Sequence, residues 1–355
     1  MLELLQKSLN PTLLKMIIQK KIMINIKDNF LQSIGNTPLI KLKAASEITG
    51  CNVYGKAEYL NPGGSVKDRA ALALIKDAEE KKLISKGGMI VEGTAGNTGI
   101  GLCLLGNSLG YKTTIVMNDN QTQEKKDTLI NIGADLRLVP PKPYSDDGNY
   151  VKVAGRLADE LKNSNNYGVV WANQFDNIAN AKGHYETTGP EIWNQTEGKV
   201  DGFVCASGTG GTIGGISSYL KEKNKNIKIY LSDPSGSALY NFIENGELKS
   251  EGGSITEGIG SSRVTANFAE AKIDGAFSID DHESLPLLYN LIKEEGLSLG
   301  TSCGVNIAGA IRLGKLIGPG KTIVTILCDK SDKYNSKMFN KKFLQEKGLP
   351  TPSWI

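Results

Sequence analysis

Histidine is almost missing from this sequence. Only His184 and His282 occur in 355 residues, and neither stands in a pattern with serine and aspartate that would build a hydrolase triad. Cysteine is also sparse. Cys51, Cys103, Cys205, Cys303 and Cys328 are odd in number, scattered and without a CxxC pair. A disulfide framework or a metal centre is therefore not expected, and a reducing compartment suits the chain. No run of 18 apolar residues exists, so no spanning helix is expected. Charge of one sign is lacking too: 41 Lys and Arg meet 38 Asp and Glu, for a net charge of +3. No basic block lies on an expected helix face, which gives no support for nucleic acid as a partner.

The length of 355 residues fits one large or two moderate domains. The 39% hydrophobic and 22% charged content marks a soluble globular chain. Residues 1–27 are rich in Leu, Ile and Lys and contain no arginine. They read as an extension, either an organelle-targeting segment or a helical arm. From Ile34 onward, short apolar strands alternate with helical stretches. Strands are expected at Val53–Glu58, Met89–Glu92, Thr113–Met117, Leu136–Val139, Val169–Ala172, Val200–Ala206, Ile227–Ser232 and Thr322–Cys328. Near-continuous apolar strands separated by helices imply parallel sheets covered on both faces, and the length suits two such sheets.

Glycine is plentiful, at 41 residues, and it clusters where strands end. In parallel α/β sheets that is where ligands bind. Gly208-Thr209-Gly210-Gly211-Thr212 ends one strand and opens a helix, so its amides can face an anion. It is neither a Walker A loop nor a dinucleotide fingerprint. Alone it fits a phosphate cradle and a plain tight corner equally. Thr94-Ala95-Gly96-Asn97-Thr98-Gly99 offers hydroxyls, an amide side chain and glycine backbone. A carboxylate suits it, and so does an ordinary helix cap. Gly300–Asn306 reads as a third turn, with Ser302 able to donate or accept a hydrogen bond and Cys303 as core. Asn61-Pro62-Gly63-Gly64-Ser65-Val66-Lys67 bends the chain into a helix capped by Ser65. Lys67 then lies in the first helical turn, where the dipole disfavours a cation and favours a nucleophilic neutral amine. Nucleophile, phosphate cradle and carboxylate turn together suit pyridoxal 5′-phosphate and an amino-acid substrate.

At these residues the sequence resembles the cysteine synthase and cystathionine β-synthase group of pyridoxal-phosphate enzymes. That group shares its fold with tryptophan synthase β chains. The resemblance runs from about Ile34 to Ile355. It rests on Gly35-Asn36-Thr37-Pro38-Leu39, Asn61–Arg69, Gly93–Gly99, Asn173-Gln174-Phe175, Thr187–Trp193, Gly208–Thr212 and Glu257-Gly258-Ile259-Gly260. It implies an α/β fold of two open, mostly parallel domains with the cofactor in the cleft. Residues 28–61 plus 173–340 would form the larger cofactor-binding domain, 62–172 the smaller mobile substrate domain, and 341–355 a tail. Lys67 would be the Schiff-base lysine and base. Asn97 would meet the cofactor's ring oxygen, Gly208, Thr209, Gly210, Gly211 and Thr212 its phosphate, and Ser302 its pyridine nitrogen. Thr94, Ala95, Gly96, Thr98 and Gln174 would hold the substrate carboxylate. The implied reaction is β-replacement through an aminoacrylate, making L-cysteine from O-acetyl-L-serine and sulfide. The resemblance also implies a homodimer, possible contact with serine acetyltransferase, and a cytoplasmic place, or a mitochondrial one if residues 1–27 are a targeting segment.

The sequence departs from the group's usual pattern in three places. Ala95 stands where a serine is usual. Ser261-Ser262-Arg263 replaces a Gly-Phe-Ile-Pro-like run. Lys330-Ser331-Asp332-Lys333-Tyr334 replaces a Ser/Gly-rich turn. The alternatives left open are condensation of serine with homocysteine, a serine or threonine dehydratase, a catalytically retired binding partner, and a plain nucleotide-binding protein. For the last, Asp233 is the only acidic residue near the position where a ribose contact would stand.

Overall fold

The computed structural model describes residues 26–355. The extension inferred for residues 1–27 thus lies almost wholly outside the described residues. Among the described residues, ten strands form two sheets: β1 Leu39–Lys41, β2 Asn52–Lys56, β3 Met89–Gly93, β4 Lys112–Asn118, β5 Asp135–Val139, β6 Val169–Trp171, β7 Gly202–Cys205, β8 Lys228–Pro234, β9 Gly275–Ile279 and β10 Thr322–Ile326. The larger sheet runs β1-β2-β10-β7-β8-β9 and the smaller β5-β4-β3-β6. Every pairing is parallel except β1 with β2. The expected architecture of two mostly parallel sheets is therefore present.

The parallel pairings arise because helices between the strands return the chain along the sheet faces. Val116, Val91 and Ile115 are fully buried in the smaller sheet, as are Val204, Phe203, Leu231 and Val324 in the larger. Such side chains alternate between two covered faces, so the strands read as unbroken apolar runs. Helix Asn97–Leu109 packs on β3 and β4 and against helix Lys67–Glu80. Helix Ala179–Glu186 in turn packs on helices Lys67–Glu80 and Gly211–Lys223. The helix that carries Lys67 is thus wedged between elements of both sheets.

β9 was not anticipated in the sequence. Residues Gly275–Ile279 form the edge strand beside β8. Gly300–Asn306 is not a turn: helix Thr301–Ile317 begins at Thr301. Gly304 is there for close packing, since a Cβ on it would lie 2.6 Å from the Ser284 carbonyl oxygen. Among the described residues, no helix is long and apolar enough to cross a membrane.

Candidate active site

Lys67 is the first residue of its helix, as the sequence suggests, but the cap differs. Val66 takes the cap position, without a side-chain capping bond. Ser65 is held back because it pairs with Asp329 in an antiparallel bridge, and its Oγ accepts a bond from the Lys67 amide at 3.2 Å. Gly64, with φ of +75°, makes the bend that precedes it. The Lys67 side chain is half-buried and lines a cavity of about 340 Å³. Burial lowers its amine pKa, because removal from water penalises the charged form. Cys328, Asp329 and Cys205 oppose that shift only in part. Desolvation is the largest influence holding the amine towards neutrality.

A buried ionic network anchors this helix. The Arg69 guanidinium donates to both oxygens of Glu58, at 2.7 and 2.9 Å, and to both oxygens of Glu191, at 2.8 and 2.7 Å. Lys56 donates to Glu191 at 2.6 Å. Thr37 donates to Glu58 at 2.7 Å, and the Gly35 amide donates to Asn61 at 2.9 Å. Three sequence motifs, those around Thr37, Asn61–Arg69 and Glu191, are therefore one structure. Bidentate charge-assisted pairs give it fixed geometry, and they hold the backbone two residues from Lys67.

The same cavity is lined by Thr94, Ala95, Gly96, Asn97, Thr98, Gln174, Gly208, Thr209 and Ser302. A smaller cavity shares its Lys67 wall and adds Gly210 and Thr212. Of the residues that the resemblance assigns to cofactor or substrate, only Gly211 lines neither. It is packed against Asn180, which a Cβ would meet at 2.2 Å.

The Thr94–Gly99 turn follows β3. Gly96, at φ +137°, donates its amide to Thr94 Oγ1 at 3.1 Å. Helix Asn97–Leu109 starts immediately after it, so its first-turn amides have no intrahelical partner. Thr98 donates to Gln174 Oε1 at 2.5 Å, and Gln174 Nε2 donates to the Gly93 carbonyl at 3.2 Å. These bonds fix the Gln174 amide beside the turn.

The Gly208–Thr212 turn joins β7 to helix Gly211–Lys223. Gly210 has φ of +86°, and a Cβ on it would strike the Phe268 backbone nitrogen at 2.3 Å. Asn180 donates to Thr209 Oγ1 at 3.0 Å, and His184 Nε2 lies 3.3 Å from Thr212 Oγ1. Burial and the positive charges of Arg69 and Lys67 push the His184 pKa well below the usual range, so the ring is neutral. Ser207 Oγ is buried beside the turn with no protein partner. Free helix-start amides, hydroxyls and the absence of any carboxylate in the turn fit a phosphate group. With the desolvated lysine amine in the same cavity, the donor set fits pyridoxal phosphate.

Some residues at the site are not evident from the sequence. Lys125 and Lys337 each donate to Glu257 at 2.5 Å, and all three line the cavity. Asn180 and His184 support the glycine turn from a neighbouring helix. Only Glu257 stood in a quoted motif. Arg263, one of the departures from the usual pattern, does not line the cavity. It donates to both oxygens of Asp176, at 2.9 and 2.7 Å, and stacks on Tyr144 at 4.2 Å.

Known proteins resemble this chain over most of its length. The family model described as pyridoxal-phosphate dependent enzyme matches residues 30–329. "Cysteine synthase 1" of Neurospora crassa is 48% identical over 322 residues, covering 89% of this chain and 84% of the relative. "Cysteine synthase" of Dictyostelium discoideum is 44% identical, covering 90% and 86%. The structure of the O-acetylserine dependent cystathionine beta-synthase from Helicobacter pylori superposes with a TM-score of 0.78 at 32% identity, covering 88% of this chain and 99% of that one. This chain belongs to the pyridoxal-phosphate dependent enzyme family.

Proposed function

We propose that this protein is a cysteine synthase, which replaces the acetate of O-acetyl-L-serine with sulfide and releases acetate and L-cysteine. The observation that carries this reading is the Lys67 amine, desolvated in a cavity with a carboxylate-suited turn on one wall and a phosphate-suited turn on another. The names of the relatives in Neurospora crassa and Dictyostelium discoideum support it.

When bound, pyridoxal phosphate supplies an aldehyde for the substrate amine and an electron-withdrawing ring for its α-carbon. The chain supplies the rest. Lys67 Nζ, held towards neutrality by burial, is the amine that would hold the cofactor aldehyde and the base that would accept the substrate α-proton. The Gly208, Thr209, Gly210, Gly211 and Thr212 turn holds the phosphate, with its hydroxyls oriented by Asn180 and His184. Ser302 would offer the ring nitrogen a neutral hydroxyl, and Asn97 would offer the ring oxygen an N–H. Thr94, Ala95, Gly96, Thr98 and Gln174 bind the substrate carboxylate. Residues 62–172 form the mobile domain, which closes over the carboxylate and excludes water. A homodimer, contact with serine acetyltransferase and a cytoplasmic or mitochondrial place belong to the same proposal.

The purified protein is expected to be yellow, with a visible absorption band lost in Lys67→Ala. O-acetylserine should change that spectrum, and sulfide should restore it with formation of cysteine. A colourless protein that takes up no pyridoxal phosphate would overturn the proposal. The Helicobacter pylori neighbour favours a second reading, in which homocysteine is the nucleophile. Restoration by homocysteine but not by sulfide selects that reading.

A further inference from the structure

The segment Asp329–Tyr334 has no part in the reaction described above, yet it closes around the side chain of Asn97. Lys333 Nζ donates to the Gly63 carbonyl at 3.3 Å, the Gly64 carbonyl at 3.2 Å and Asn97 Oδ1 at 3.0 Å. An ammonium has three donors and no acceptor, so this one is fully used. On the other side, Asn97 Nδ2 donates to Asp329 Oδ2 at 2.7 Å, and the Tyr334 hydroxyl donates to the same oxygen at 2.6 Å. Asp329 is fully buried, and its bridge to Ser65 fixes its backbone.

The chemistry of these partners admits one orientation of the carboxamide. Lys333 brings only donors to this contact and the Asp329 oxygen already accepts from Tyr334, so the Asn97 oxygen faces Lys333 and its nitrogen faces Asp329. One N–H of Asn97 is thereby committed, and the second is left for a ligand in the cavity that Asn97 and Lys67 both line. Lys333 also grips Gly63 and Gly64, the bend that delivers Lys67 to its helix. One ammonium therefore registers Asn97 against the backbone of the reactive lysine.

We propose that Lys333 and Asp329 are positioning residues, which lock the Asn97 amide so that its free N–H serves the cofactor in register with Lys67. This rests on the assignment of Asn97 to the cofactor. The test titrates pyridoxal phosphate into the apoproteins of wild type, Asn97→Ala, Lys333→Met and the double variant. The readouts are the dissociation constant, the position of the visible band and the melting temperature of each apoprotein. Asn97→Ala and Lys333→Met should each weaken cofactor binding by about tenfold and shift the band, the effect of one misaligned hydrogen bond. The double variant should bind no more than about twofold worse than Asn97→Ala, because both changes remove the same contact. If Lys333→Met accumulates poorly, Lys333→Leu carries the same comparison. A Lys333 variant that melts lower but keeps wild-type affinity and band, while Asn97→Ala does not, overturns the positioning role. An Asn97→Ala protein with wild-type affinity and band overturns the assignment beneath it.

Discussion

Replacing Glu92 by glutamine removes one ionisable group from beneath the carboxylate turn, and the benefit should grow as pH rises. Glu92 is fully buried near the end of β3. One of its oxygens accepts a bond from the Gln174 backbone N–H at 3.4 Å, and the other has no partner. Burial is the largest influence and pushes its pKa up to about 8, against an ordinary value of 4.5, with hydrogen bonds from Gln174 and Asn173 offsetting only part. A carboxyl whose pKa is raised on folding holds its proton more tightly in the folded state. Its contribution to stability is complete below about pH 4.5 and is lost as pH climbs towards about 8. One pKa unit is worth about 1.4 kcal/mol. Relative to Glu92→Gln, the wild type should therefore lose about 4 kcal/mol between about pH 5 and pH 8. For a chain of this size the unfolding entropy is on the order of 0.7 kcal/mol/K, so the gap in melting temperature should widen by about 6 °C. All other titrating groups are common to the two proteins, so the difference isolates this one. Calorimetric melts of both proteins across that pH range provide the measurement. A gap that stays constant with pH would refute the idea that a neutral carboxyl is buried at Glu92.

Two further outcomes follow from the site's supports. Arg69→Met leaves Glu58 and Glu191 without their guanidinium, and removing one partner of a buried ion pair costs about 3–5 kcal/mol. The expected drop in melting temperature is about 4–7 °C, and an unchanged melt would show that the network carries no such energy. Gly208→Ala puts a Cβ 2.2 Å from the Gly258 carbonyl oxygen. The turn must move, so cofactor affinity should fall by about tenfold or more, measured by absorbance titration of the apoprotein. Retention of wild-type affinity would argue against a phosphate at this turn.

The sequence alone was enough for the alternation of strands and helices, the two parallel sheets, the strand-end turns and the place of Lys67 at the head of a helix. Each of these is written in local terms: apolar runs, glycines that permit positive φ, and residues that start helices. Local signals misled at Gly300–Asn306. There, glycine and serine suggested a turn, but the glycine serves close packing between helices. Ser65 looked like a cap by type and was drawn out of the cap position by its bridge to Asp329. What only the tertiary structure decided is how the site is held and charged. Asn97 meets Asp329 and Lys333 more than 230 positions away, and Glu257 meets Lys125 from 132 positions away. Such pairs leave no periodic trace along the chain. The lowered pKa of Lys67 is likewise a property of burial, which exists only once both sheets enclose the amine.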